Sequence, residues 1–109
     1  MTSLRTIDHY LNGARVAATG ATADVYDPST GEVQATVPLA TAAEVDATVA
    51  TAVEAQKVWA EYNPQRRARV IMKFIDLVNQ NMDELASLLS SEHGKTLEDA
   101  RGDVVRGLD

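Results

Sequence analysis

The apolar residues of this chain change period once, between Pro38 and Thr41, and that change separates a strand-forming part from a helix-forming part. Before it, Val33, Ala35 and Val37 alternate with Gln34 and Thr36, which is the two-residue period of a half-buried strand ending at Pro38. After it, Val45, Val49, Ala52, Val53, Gln56 and Trp59 fall on one helical stripe. Thr41 and Glu44 stand at capping-box spacing where the period switches, so each can satisfy a free backbone N–H of the other.

Turn chemistry fixes the remaining elements. The run from His9 to Asn12 meets Gly13 and is followed by Arg15 to Ala18, a hairpin turning at Asn12-Gly13. Ala23 to Tyr26 forms a short strand, and Asp27-Pro28-Ser29-Thr30-Gly31 is a turn in which Pro presets one backbone angle and Gly supplies a positive one. Asn63-Pro64 opens a second helix, with Val70, Ile71, Phe74, Leu77 and Val78 as its core face. Asn81 is expected to cap a third, with Asp83 and Glu84 suited to its first turn and Met82, Leu85, Leu88 and Leu89 facing inward. Gly94 fits the left-handed position that ends it. A fourth helix starts at Thr96, with Asp99 three residues on, and reaches Leu108 without a C-capping Gly, Asn or Pro. That open end suggests a fragment, or a shortened relative of something larger. Read by itself, the chain is a small antiparallel β region over residues 1–40 followed by four helices over residues 41–109, an α+β order.

Composition narrows the chemistry. With 109 residues one domain is expected. Aromatic residues make up only 5%, so Ala, Val and Leu must do the packing. A net charge of −6 disfavours general attraction to nucleic acid or anionic membranes. The chain contains no cysteine, hence no disulfide, no thiolate nucleophile and no cysteine-based zinc site. Met1-Thr2-Ser3-Leu4-Arg5 has no apolar signal core, and a cytoplasmic protein is the default expectation.

The reactive side chains are sparse. Arg66, Arg67, Arg69 and Lys73 crowd the start of the second helix, where cations oppose the helix dipole; a solvated face with surface ion pairs is expected there, rather than a nucleic-acid contact. His9 and His93 have no second ligand at metal spacing. Gly94-Lys95-Thr96 resembles the end of a phosphate-binding loop only superficially, because that loop needs a Gly where Leu89 stands. Arg106 sits roughly opposite the Leu97, Ala100, Val104 and Leu108 stripe, beside Gly102 and Gly107. Interior glycines cost a helix roughly 1 kcal/mol each relative to Ala and usually mark close approach of another segment or a ligand. An arginine beside such bare backbone suits a planar carboxylate held through two N–H bonds. The plainer alternative is an exposed pair with Asp103, one turn away.

Taken together, Tyr10-Leu11-Asn12-Gly13, Asp27-Pro28-Ser29-Thr30-Gly31-Glu32 and Ser91-Glu92-His93-Gly94-Lys95-Thr96 resemble the N-terminal segment of the NAD-dependent aldehyde dehydrogenase superfamily. Asn63-Pro64-Gln65-Arg66-Arg67-Ala68-Arg69-Val70, Met82-Asp83-Glu84-Leu85-Ala86 and Gly102-Asp103-Val104-Val105-Arg106-Gly107-Leu108 look like its CoA-acylating methylmalonate-semialdehyde branch. The resemblance implies an α/β enzyme several times longer, with dinucleotide-binding and catalytic domains and an oligomerisation arm, assembled as a homo-oligomer. Residues 1–109 would then be an incomplete N-terminal part of the dinucleotide-binding domain. In that family a cysteine thiolate attacks the aldehyde, hydride passes to NAD and, in this branch, the acyl group passes to coenzyme A with loss of CO2. The products are acetyl-CoA or propionyl-CoA, in valine, pyrimidine and inositol breakdown.

The one site residue that carries over is Arg106, matching the arginine implicated in binding the substrate carboxylate. No catalytic, cofactor-binding or metal residue carries over, so this segment alone should bind no NAD or coenzyme A and should be inactive. Asp103 and the backbone near Val25 resemble positions that hold a structural cation in some members. Other readings are a succinate-semialdehyde or betaine-aldehyde branch, a non-catalytic interaction module and, most remotely, a nucleic-acid module.

Overall fold

The structure is a computed structural model that describes residues 4–109; Met1 to Ser3, part of the leading segment read above for a signal core, lie outside the described residues. The described residues form β1 (Arg5–Thr6), β2 (His9–Leu11), β3 (Ala14–Val16), β4 (Thr22–Asp27), β5 (Glu32–Pro38), α1 (Ala42–Glu61), α2 (Pro64–Gln80), α3 (Met82–His93) and α4 (Leu97–Leu108). They fall into two compact units. One takes the residues up to Tyr26 together with Val33–Tyr62; the other takes Asp27–Glu32 with Asn63–Asp109. No described helix is long and apolar enough to cross a membrane.

In the first unit, β2 and β3 pair antiparallel with Tyr10 opposite Arg15. Asn12 at φ 50° and Gly13 at φ 77° give the two positive angles that a tight hairpin turn requires. The expectation of an antiparallel region holds for this hairpin but not for the whole β region. β1 pairs with β5 in parallel, Arg5 opposite Ala35 and Thr6 opposite Thr36, so that β5 lies between β1 and β4. A two-residue strand has no alternation to read, and its partner lies far along the chain. Ala35, on the central strand, is completely buried. The Thr41–Glu44 box forms in full: Glu44 N–H donates to Thr41 Oγ1 at 3.1 Å, and Thr41 N–H donates to Glu44 Oε1 at 3.2 Å.

In the second unit, the turn preceding β5 is closed by Gly31 N–H donating to the Asp27 carbonyl at 2.7 Å and Ser29 N–H donating to Asp27 Oδ1 at 2.9 Å. Asn63 caps α2, its Oδ1 accepting from Arg66 N–H at 2.8 Å. Asn81 does not cap α3. Its backbone, at φ −110° and ψ 19°, nearly continues the helix, and its side-chain amide turns back to donate to the Leu77 carbonyl at 2.8 Å. It satisfies the C-terminus of α2 rather than the N-terminus of α3 because the two helices adjoin without an extended residue between them. Gly94 ends α3 in the left-handed conformation at φ 89°, as expected, and Thr96 Oγ1 accepts from Asp99 N–H to start α4.

The apolar faces depart most from expectation. α3 and α4 pack on one another, and Ala86 and Ala100 are fully buried. Val70, Ile71, Phe74 and Leu77, expected on the core face of α2, are exposed, Phe74 at 61%. Leu85 and Leu88 of α3 are also exposed, although Met82 and Leu89 are half-buried. Val45, Val49 and Val53 on the α1 stripe are exposed as well.

Candidate functional site

Arg106 stands in the last turn of α4, exposed. Around α4, Ala100 is buried while Val104 and Leu108 are half-buried, so three of the four expected stripe residues turn away from solvent. Leu97 does not; it is 56% exposed at the first helical position. A Cβ added to Gly102 or Gly107 would meet nothing within 4 Å, leaving open backbone on either side of Arg106.

The plainer alternative, an Asp103–Arg106 pair, is not among the ion pairs of the described residues. Asp103 Oδ2 instead accepts from Lys95 Nζ, which reaches it across the α3–α4 turn. The Lys95 bond, with smaller contributions from the charges of Lys95, Arg106 and His93, holds the Asp103 carboxyl below its ordinary range, against a desolvation that opposes it. Arg106 itself has no ion pair among the described residues. Lys95 is positioned by its own backbone: Ser90 Oγ donates to the Lys95 carbonyl at 2.7 Å, and Gly94 N–H donates to the Ser90 carbonyl at 2.8 Å. A Cβ on Gly94 would lie 2.9 Å from Pro28 Cγ, so the turn also abuts the Asp27–Gly31 turn of the same unit. A second bridge, Arg101 Nη1 to Asp83 Oδ1, ties α4 to the first turn of α3. Sequence reasoning missed both bridges; the available signal was a lysine just past a capping glycine and an aspartate in the second turn of the helix that follows.

The other reactive groups lie apart from Arg106. In the first unit His9 Nε2 is 3.1 Å from Glu44 Oε2, both largely buried, but off the hydrogen-bond direction, leaving that nitrogen without a hydrogen-bond partner. Glu44 is held below its ordinary carboxylate range chiefly by the Thr41 N–H, and further by the Thr19 and Thr41 hydroxyls and the charge of His9, against desolvation. In the second unit Arg66, Arg69 and Lys73 flank Val70, Phe74 and Leu77 along an open groove of about 500 Å³. Arg67 buries its Nε without a hydrogen-bond partner.

No group of three or more His, Cys, Asp or Glu among the described residues is arranged to hold a metal ion. Lys95 of Gly94-Lys95-Thr96 is engaged with Asp103, and Gly94 is a helix cap pressed against Pro28 rather than part of a phosphate cradle.

Comparison with known proteins supplies the wider frame. The profile of the aldehyde dehydrogenase family matches residues 16–109. The chain is 42% identical to the malonate-semialdehyde dehydrogenase of Pseudomonas aeruginosa over 104 residues, covering 95% of this chain and 21% of that protein. It is also 42% identical to malonate-semialdehyde dehydrogenase 3 of Geobacillus kaustophilus, covering 100% of this chain and 23% of that one. Among solved structures, a Sinorhizobium meliloti 1021 protein assigned as a methylmalonate-semialdehyde dehydrogenase, in complex with NAD, superposes with a TM-score of 0.87 at 53% identity, over 99% of this chain and 22% of its own. The methylmalonate-semialdehyde dehydrogenase of Oceanimonas doudoroffii gives a TM-score of 0.92 at 35% identity, over 96% and 22%. The chain thus spans between a fifth and a quarter of the curated relatives it matches, and its strands and helices are those of the corresponding part of their fold. It belongs to the aldehyde dehydrogenase family.

Proposed function

We propose that this chain is the N-terminal part of the dinucleotide-binding domain of an NAD-dependent, CoA-acylating dehydrogenase of malonate or methylmalonate semialdehyde. The products of the complete enzyme are acetyl-CoA or propionyl-CoA and CO2, and it works as a homo-oligomer on a small soluble substrate. The observation that carries this reading is the 53% identity, over 99% of the chain, to the Sinorhizobium meliloti protein that binds NAD. In this reading the rest of the protein supplies the cysteine, the dinucleotide site and a second carboxylate-binding arginine.

Within the chain, Arg106 is the substrate-binding residue. Its exposure, its freedom from any ion pair among the described residues and the bare backbone at Gly102 and Gly107 leave the guanidinium able to take a carboxylate through two N–H bonds. A hydrogen bond to a charged group contributes about 1.5–3 kcal/mol. Arg106→Ala in the complete enzyme should therefore raise KM for the carboxylated semialdehyde roughly tenfold or more relative to propanal. An equal change for both substrates would contradict the role.

The exposed faces of α1 and α2 favour one other reading, a non-catalytic interaction module. Light scattering separates the two: a well-behaved 109-residue monomer argues for an independent fold, association for faces that need covering.

A further inference from the structure

Arg106 has no ion pair among the described residues, and the carboxylate nearest to it along its own helix is engaged elsewhere. Asp103 and Arg106 lie three residues apart on α4, the spacing at which a carboxylate and a guanidinium on one helix normally pair. Such a pair would turn the guanidinium toward its own helix, and an incoming carboxylate would have to displace Asp103. Instead, Lys95 reaches the Asp103 carboxylate from the α3–α4 turn, with its own side chain only 20% exposed. The Ser90 hydroxyl on the Lys95 carbonyl and the Gly94 cap fix the lysine's backbone, so this reach is built into the turn.

We infer that Lys95 is a positioning residue for substrate recognition: by occupying Asp103 it prevents the Asp103–Arg106 pair and keeps the Arg106 guanidinium available to the substrate carboxylate. The inference rests on the carboxylate-binding role of Arg106 proposed above. It assigns Asp103 an unexpected part, that of a competitor to be neutralised rather than a helper in binding. Removing Lys95 should weaken recognition, and removing Asp103 as well should restore it.

The test is the ratio of KM for the carboxylated semialdehyde to KM for propanal in the complete enzyme. In Lys95→Met the ratio should rise two- to threefold, the factor a helical i,i+3 pair implies when it forms in competition. Lys95→Arg should keep the ratio near the parent value. Asp103→Asn should leave it unchanged or lower it, and the double variant Lys95→Met/Asp103→Asn should return it to the parent value. If the Lys95–Asp103 bond were only structural, Lys95→Met and Asp103→Asn would do equal harm and the double variant would not recover; that result overturns the inference. A Lys95→Met enzyme too unstable to assay shifts the decision to Asp103→Asn, where a raised ratio is equally contrary. Arg106→Ala, run alongside, keeps the two ideas apart. A selective effect of Arg106→Ala with no rescue in the double variant defeats the positioning role alone, whereas an unselective one defeats the reading beneath it.

Discussion

The α3–α4 pair and the α2 helix carry apolar stripes of similar length but meet opposite fates. α3 and α4 close on one another, with Ala86 and Ala100 completely buried; the Arg101–Asp83 bridge joins the two helices, and Lys95 of the turn between them holds Asp103. α2 presents Val70, Phe74 and Leu77 to solvent and buries no residue. Alanine lets helices approach closely and needs little area to be covered; Phe and Leu need a partner of matching size. The contrast teaches that the part nearest Arg106 is assembled from local residues, whereas the apolar face of α2 has no cover among the described residues. Relatives of four to five times the length contain enough protein to provide it.

The largest expected effect tests the α2 side. In the complete protein Phe74→Ala should cost about 3–5 kcal/mol in denaturant unfolding, as for other buried phenylalanines. A change within about 0.5 kcal/mol would mean that the face remains in water and that the contrast is wrong. On the other side, Ala100→Leu should overpack the α3–α4 contact by about 1–3 kcal/mol. Gly94→Ala should cost about 1–2 kcal/mol from its left-handed backbone, with a further increment from the Pro28 contact, read as a lowered melting temperature.

The smallest effect is in pH. Glu44 and Asp103 both titrate below their ordinary carboxylate range when folded, so each adds stability above that range and loses it as pH falls through the depressed value. Denaturation midpoints should therefore fall on acidification, and Glu44→Gln should flatten that acid limb slightly without changing its direction. An unchanged limb would detach Glu44 from it.

What was legible in the sequence follows the range of the interaction. Asn12-Gly13, Thr41 with Glu44, Asn63-Pro64 and Gly94 act within a few residues, and each forms as its chemistry requires. Asn81 was misread because two helices can meet at one residue, and no local pattern says which of them its amide will serve. β1 escaped notice because two residues carry no period and their partner strand is remote. The apolar stripes were visible, but a stripe names no occupant. At the site, Arg106 stood out beside its glycines, while Lys95 did not: its bond to Asp103 depends on how the α3–α4 turn folds back, which spacing alone does not disclose.

The account is tested most directly by the products of the complete enzyme given malonate or methylmalonate semialdehyde, NAD and coenzyme A. It predicts acetyl-CoA or propionyl-CoA, formed in step with reduced NAD and CO2. Free acid without a thioester, whether or not coenzyme A is present, would contradict it and assign the chain to a different branch of the family.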